Sequence, residues 1–233
     1  MTLSESLAAH RETSLLKDTS RHSFIDDLTA FATEHHAQNW RGTFADFLQD
    51  ILPRDASKLT RSSHQYIYDM LCWYRDAQLP PAVSPNDRHP AASEKALFAG
   101  ELFGIDGALD RVIDYFKAAA AGSDVGRRLL LLLGPPSGGK STLVILLKRG
   151  LEEYSHTEDG GLYALQGSPL HESPLNLIPA SLRPRFRATY GVDITGELSP
   201  HARARLDDEF QGDFMRFPVE RVFLSEAARV GVG

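Results

Sequence analysis

Two five-residue apolar runs, 129–133 and 143–147, flank a glycine-rich stretch, and the rest of the chain is patterned around them. Leu129 to Leu133 are consecutive leucines, which predicts a strand buried on both faces. From Thr142 onward the pattern suits a helix reaching about Tyr154. Elsewhere the apolar spacing is helical. Phe24, Leu28 and Phe31 follow a cap at Ser23; Phe44, Phe47, Leu48 and Ile51 follow a cap at Thr43. A third helix is expected from about Ser62 to Asp76, burying Ile67, Met70, Leu71 and Tyr74. A fourth, capped by Asp106, carries Leu109, Val112, Ile113 and Phe116 and closes before Gly122. Gly160-Gly161 leads into an expected strand at Leu162 to Leu165, Ser199-Pro200 is a helix start, and Arg221 to Leu224 suits another strand. The order strand, helix, strand predicts an α/β fold with a parallel sheet and a right-handed crossover.

The same pattern divides the chain. Residues 1–22 are polar and expected to fray, and 23–78 read as a small helical N-terminal unit in which Trp40 and Trp73 belong to the core. Residues 79–93 hold four prolines and read as a linker. Residues 94–233 form the α/β domain, with a loop-rich tract from Ser168 to Pro184.

Between the two apolar runs stands G-P-P-S-G-G-K-S, with Gly134, Gly139, Lys140 and Ser141 at the spacing G-x-x-x-x-G-K-[ST]. That spacing predicts a loop wrapping the phosphates of a nucleoside triphosphate. A triphosphate sheds its water only where many donors converge on it. The backbone N–H groups of Gly138, Gly139, Lys140, Ser141 and Thr142 can converge because glycine leaves the approach open. The N-terminus of the following helix adds partial positive charge at the same place. Lys140 is expected to reach the β- and γ-phosphates, and the Ser141 hydroxyl to ligate Mg²⁺. Pro135 and Pro136 stiffen the loop entry, and Ser137 completes it. The expected cofactors are therefore ATP and Mg²⁺.

Composition narrows the partners. Of 233 residues, 42% are hydrophobic and 24% charged, the balance of an ordinary globular protein. A net charge of -6 gives no general affinity for nucleic acid or an anionic membrane. Cys72 is the single cysteine, which excludes an internal disulfide framework and a cysteine-based zinc site. No signal-peptide pattern begins the chain and no apolar run approaches ~18 residues, so a cytoplasmic location is expected.

Several blocks together resemble the PrkA family, bacterial proteins described as serine protein kinases and built on an AAA+ type ATPase domain. They are W-R-G-T-F-A-D-F-L at Trp40 to Leu48, Y-D-M-L at Tyr68 to Leu71, and E-L-F-G-I-D at Glu101 to Asp106. The glycine loop, L-K-R-G-L-E-E-Y-S at Leu147 to Ser155, L-Y-A-L-Q-G-S-P-L-H-E-S-P-L at Leu162 to Leu175, and R-V-G-V-G at Arg229 to Gly233 complete the set. The resemblance implies a P-loop NTPase of AAA+ type and ATP-dependent serine/threonine protein kinase or ATPase activity. It also implies a protein substrate and a homo-oligomeric ring in a longer protein. The segment ahead of the loop, here Leu102, Phe103, Gly104 and Ile105, would run over the adenine; the alternative is that Leu102 and Phe103 are plain helix-start core.

Other signals are weaker. ATP hydrolysis needs a carboxylate at the end of a second apolar strand. Asp207-Asp208-Glu209 follows a polar helix instead, and Asp26-Asp27 follows only Phe24-Ile25. With the chain stopping at G-V-G, it reads as an N-terminal fragment of the family pattern, one that binds ATP without turning it over. Arg183, Arg185 and Arg187 suit a solvated basic face better than a phosphate contact. His171-Glu172 lacks a third ligand at metal spacing, and His35-His36 suits a helix C-terminus. The fingerprints H-R-D and D-F-G are absent, so a kinase here would not have the eukaryotic-type fold. An ATP-driven remodelling or protease motor and a non-hydrolysing nucleotide-binding module are the rival readings.

Overall fold

The computed structural model describes residues 39–77 and 93–225, with Asp26 and Thr29 besides. Most of the helix expected behind Ser23, of which only Asp26 and Thr29 are described and helical, most of the linker at 79–93, His35-His36 and the closing Arg229 to Gly233 lie outside the described residues. The chain divides into two units at Trp40 and Arg41, and every element below belongs to the second.

Strand β1, Arg41–Thr43, runs directly into helix α1, Phe44–Asp50. Thr43 starts that helix by a reciprocal capping box: its side chain accepts from the Asp46 N–H, while Asp46 accepts from the Thr43 N–H at 2.7 Å. After the short helix α2, Ala56–Leu59, comes α3, Ser63–Ala77, and then α4, Asp106–Ala120. Asp106 is the first residue of α4, and the N-cap itself is Ile105, which makes no side-chain cap bond. Helix α5 is Lys140–Ser155 and strand β2 is Leu162–Leu165, where the apolar pattern puts them. Helix α6, Arg183–Tyr190, begins within the last two residues of the tract read as loop. Helix α7, Pro200–Phe210, starts at Ser199, whose hydroxyl accepts from the Ala202 N–H. Strand β3 is Pro218–Val222.

One core lies among α3, α4 and α5. Tyr66, Met70 and Leu71 meet Leu109, Val112, Ile113 and Phe116, together with Leu143, Leu146 and Tyr154. Phe98, fully buried, fills the space between them. Trp73 packs against this core, edge-on to Tyr74. A second apolar region lies under the sheet, where Phe47 meets Tyr163 and Phe210 meets Phe217.

The sheet among the described residues is antiparallel and does not bear out the expected parallel one. Its order is β1-β3-β2, and β3 runs antiparallel to both neighbours, with Gly42 opposite Val219 and Ala164 opposite Glu220. The five leucines form no strand. Residues 129–133 belong to no regular element, and no strand among the described residues pairs with them. Leu130 and Leu132 pack on the core, while Leu129, Leu131 and Leu133 are 87%, 64% and 82% exposed. A strand is defined by the ladder it shares, and here the side-chain alternation is present without the ladder. Burial on both faces is therefore overturned: one face is partly buried and the other is open.

Candidate nucleotide site

The glycine loop joins the leucine segment to the N-terminus of α5. Ser137 and Gly139 both have left-handed backbone, with φ of 61° and 77°. Alternating handedness of this kind turns successive N–H groups toward one side and makes an anion-binding concavity. Gly139 is the N-cap of α5 and supplies no side-chain cap, leaving the first N–H groups of the helix for another acceptor. The Gly138 N–H is turned inward to Pro135 O at 3.3 Å, so that donor closes the loop on itself. Gly134, Pro135, Pro136, Ser137, Gly138 and Ser141 are exposed, and Gly139, Lys140 and Thr142 half-buried.

Lys140 lies at the first position of α5 and folds back over the loop. Its ammonium donates to Gly134 O at 2.9 Å and to Pro135 O at 2.5 Å. These contacts hold the positive charge at the mouth of the concavity.

Two glycines are required by their surroundings. A Cβ at Gly138 would come within 3.1 Å of Pro135 O. One at Gly139 would lie 3.1 Å from Leu102 Cδ2 on a backbone that already disfavours a side chain. The segment 102–105 thus reaches the loop, though its residues behave differently. Leu102 and Ile105 turn in toward the core, whereas Phe103 is 77% exposed and Gly104, at φ 73°, turns the chain between them.

The remaining sequence candidates do not converge on the loop. Glu172 is buried and accepts from the Ser168 hydroxyl, the Ser199 hydroxyl and the Ser199 N–H, so it fastens the start of α7. No group of three or more metal-ligating side chains occurs among the described residues. Arg183 donates to Ile178 O and Ile194 O, and Arg187 pairs with Asp193, so both tie loops around α6. Asp207-Asp208-Glu209 lies on α7, where Glu209 pairs with Arg205. No helix among the described residues is long and apolar enough to cross a membrane.

Sequence reasoning missed Arg61. Its side chain is only 6% exposed and reaches Asp69, the Tyr154 hydroxyl and Asp159 O, joining α3 to the far end of α5. A lone arginine between α2 and α3 carries no pattern that would have signalled this.

The family model of the PrkA AAA domain matches residues 42–233. The chain is similar to the ATP-dependent protease PrkA of Bacillus subtilis, 40% identical over 210 residues, which cover 90% of this chain and 31% of that protein. It is also similar to an uncharacterized protein in the gldA 5'region of Geobacillus stearothermophilus, 31% identical over 90 residues, or 38% of this chain and 80% of that protein. The chain thus spans about a third of the length of the Bacillus relative. No solved structure matches.

Proposed function

The chain belongs to the PrkA AAA domain family, and on that premise we propose that the loop Gly134 to Ser141 binds ATP with Mg²⁺. The observation that carries this reading is the loop itself: left-handed backbone at Ser137 and Gly139, a helix N-terminus without a side-chain cap, and Lys140 folded across the mouth. The N–H groups of Gly139, Lys140, Ser141 and Thr142 receive phosphate oxygens, with the dipole of α5 behind them. Lys140 exchanges its carbonyl contacts for the β- and γ-phosphates. Mg²⁺, held by Ser141 and phosphate oxygens, would neutralise charge on the triphosphate. Phe103 and Gly104 offer an exposed apolar edge for the base. The parallel sheet of an AAA+ type domain is part of the proposal: the segment 129–133, unpaired among the described residues, would become its strand on pairing.

For the longer protein we propose ATP-driven work on a protein substrate by a homo-oligomeric ring, in the cytoplasm. The Bacillus relative's name, an ATP-dependent protease, favours a proteolytic or remodelling motor over the serine kinase reading. Labelled ATP separates the two, since only a kinase transfers its phosphate to the protein substrate while leaving that substrate intact.

The site itself is tested by Lys140→Ala. A charge-assisted contact of this kind contributes about 1.5–3 kcal/mol, a factor of ten to over a hundred in affinity. Calorimetric titration with ATP·Mg²⁺ should show that loss, and unchanged affinity removes Lys140 from the site.

A further inference from the structure

We infer that Leu102 and Ile105 are positioning residues for phosphate binding, bracing Gly139 in the left-handed conformation on which the loop depends. The inference rests on the nucleotide reading of that loop, and it assigns these side chains a role apart from the base. Gly139 is both the N-cap of α5 and the last residue of the loop before Lys140, so its φ of 77° sets where the first helical N–H groups point. A Cβ built on it would meet Leu102 Cδ2 at 3.1 Å and Ile105 Cδ1 at 3.5 Å. The two side chains therefore close on the side of Gly139 that a side chain would otherwise occupy. Their packing against this face requires a residue without a Cβ, the same residue that the left-handed backbone requires.

A brace must itself be held. The Leu102 N–H donates to Phe98 O at 3.0 Å, and Phe98 is fully buried. Ile105 is the N-cap of α4, and its carbonyl accepts from Ala108 and Leu109 at 2.8 and 3.0 Å. Both side chains also pack on the core shared by α3, α4 and α5. Arg149 on α5 donates to Glu101 at 2.8 Å, so the same segment grips α5 at a second point beyond the loop. Gly104, at φ 73°, reverses the chain so that Leu102 and Ile105 both face inward while Phe103 stands out. Preorganisation of this kind lowers the ordering cost that binding would otherwise carry.

The test uses two probes, ATP·Mg²⁺ and inorganic tripolyphosphate, which lacks a base. Leu102→Ala should weaken both by the same factor, about tenfold, because the brace acts on the phosphate loop. Leu102→Met should restore affinity. Val112→Ala, a core truncation on α4 away from the loop, should lower thermal stability and leave both affinities unchanged. A loss confined to ATP would overturn the inference in favour of a base contact. No loss on either probe, or an equal loss in Val112→Ala, would overturn it as well. If Leu102→Ala shows no cooperative melting, Leu102→Val and Ile105→Val are read by the same criteria. Failure of the wild-type chain to bind either probe would instead overturn the nucleotide reading on which the inference stands.

Discussion

Lys140 already has two oxygen partners before any ligand arrives, and both belong to the loop it is expected to serve. Binding therefore exchanges carbonyl dipoles for phosphate charges, a trade favoured because each new acceptor is ionised. Ser141, one residue further on, has a different task. Its hydroxyl is assigned to the metal, so Ser141→Ala should lower Mg²⁺-dependent affinity for ATP more than affinity measured with excess chelator. Equal losses under both conditions would make it a phosphate donor instead. These roles were legible in the sequence because the motif fixes residue type at each position of a short loop. The contact of Leu102 and Ile105 with Gly139 was not, because thirty-odd residues separate them and only the packing of α4 against the core brings them together.

At the scale of elements, α5 connects the loop to everything else. Its far end is fastened by Arg61 through the Tyr154 hydroxyl and by Arg221, which donates to Ser155 O and Thr157 O just past the last turn. A cation there also complements the negative end of the helix. Burial pushes the Tyr66 and Tyr154 hydroxyls above the ordinary tyrosine range, so both stay protonated against this arginine. Midway, Gly150 lets α5 approach α3 closely: a Cβ there would lie 2.9 Å from Met70 Sδ and 3.1 Å from Leu97 Cδ1. Gly150→Ala gains about 1 kcal/mol of helix propensity and meets an overpacking cost of about 1–3 kcal/mol, because Met70 is fully buried and cannot swing aside. A net loss of roughly 1 kcal/mol is expected in urea unfolding, and a gain would show that the helices separate freely. Most elements were legible from apolar period and caps; Thr43, Ser199 and the run Leu162 to Leu165 each announced one. Helix α6 was masked by the proline-rich tract ahead of it, although Pro184 in its first turn and the left-handed Gly191 after Tyr190 are ordinary start and stop signals. The leucine run misled for a different reason, since pairing depends on partners that a run of side chains does not encode.

For the molecule as a whole, binding and turnover separate. The described residues place no unengaged carboxylate at the end of a strand beside the loop. Glu220 lies within β3 and is engaged by Arg41 and Gln166, and the acidic triplet 207–209 rides on a helix. Phosphoryl transfer depends on such positioning, and an arginine supplied from elsewhere is itself worth ~10³–10⁵ in rate in related enzymes. The chain alone should therefore hold ATP and release phosphate negligibly. Sustained release that vanishes in Lys140→Ala would show that a catalytic carboxylate is present after all. The open row of Leu129, Leu131 and Leu133 bears on how such a chain behaves outside any assembly. An unpaired strip with greasy teeth on one side resembles a partly unfolded polypeptide to anything that samples surfaces. The native chain should light up a polarity-sensitive dye such as ANS without denaturant, and Leu131→Lys should dim that signal. In a cell the same strip would draw chaperones that patrol for unfinished folding, so the lifetime of the free chain would be governed by how quickly something else covers it.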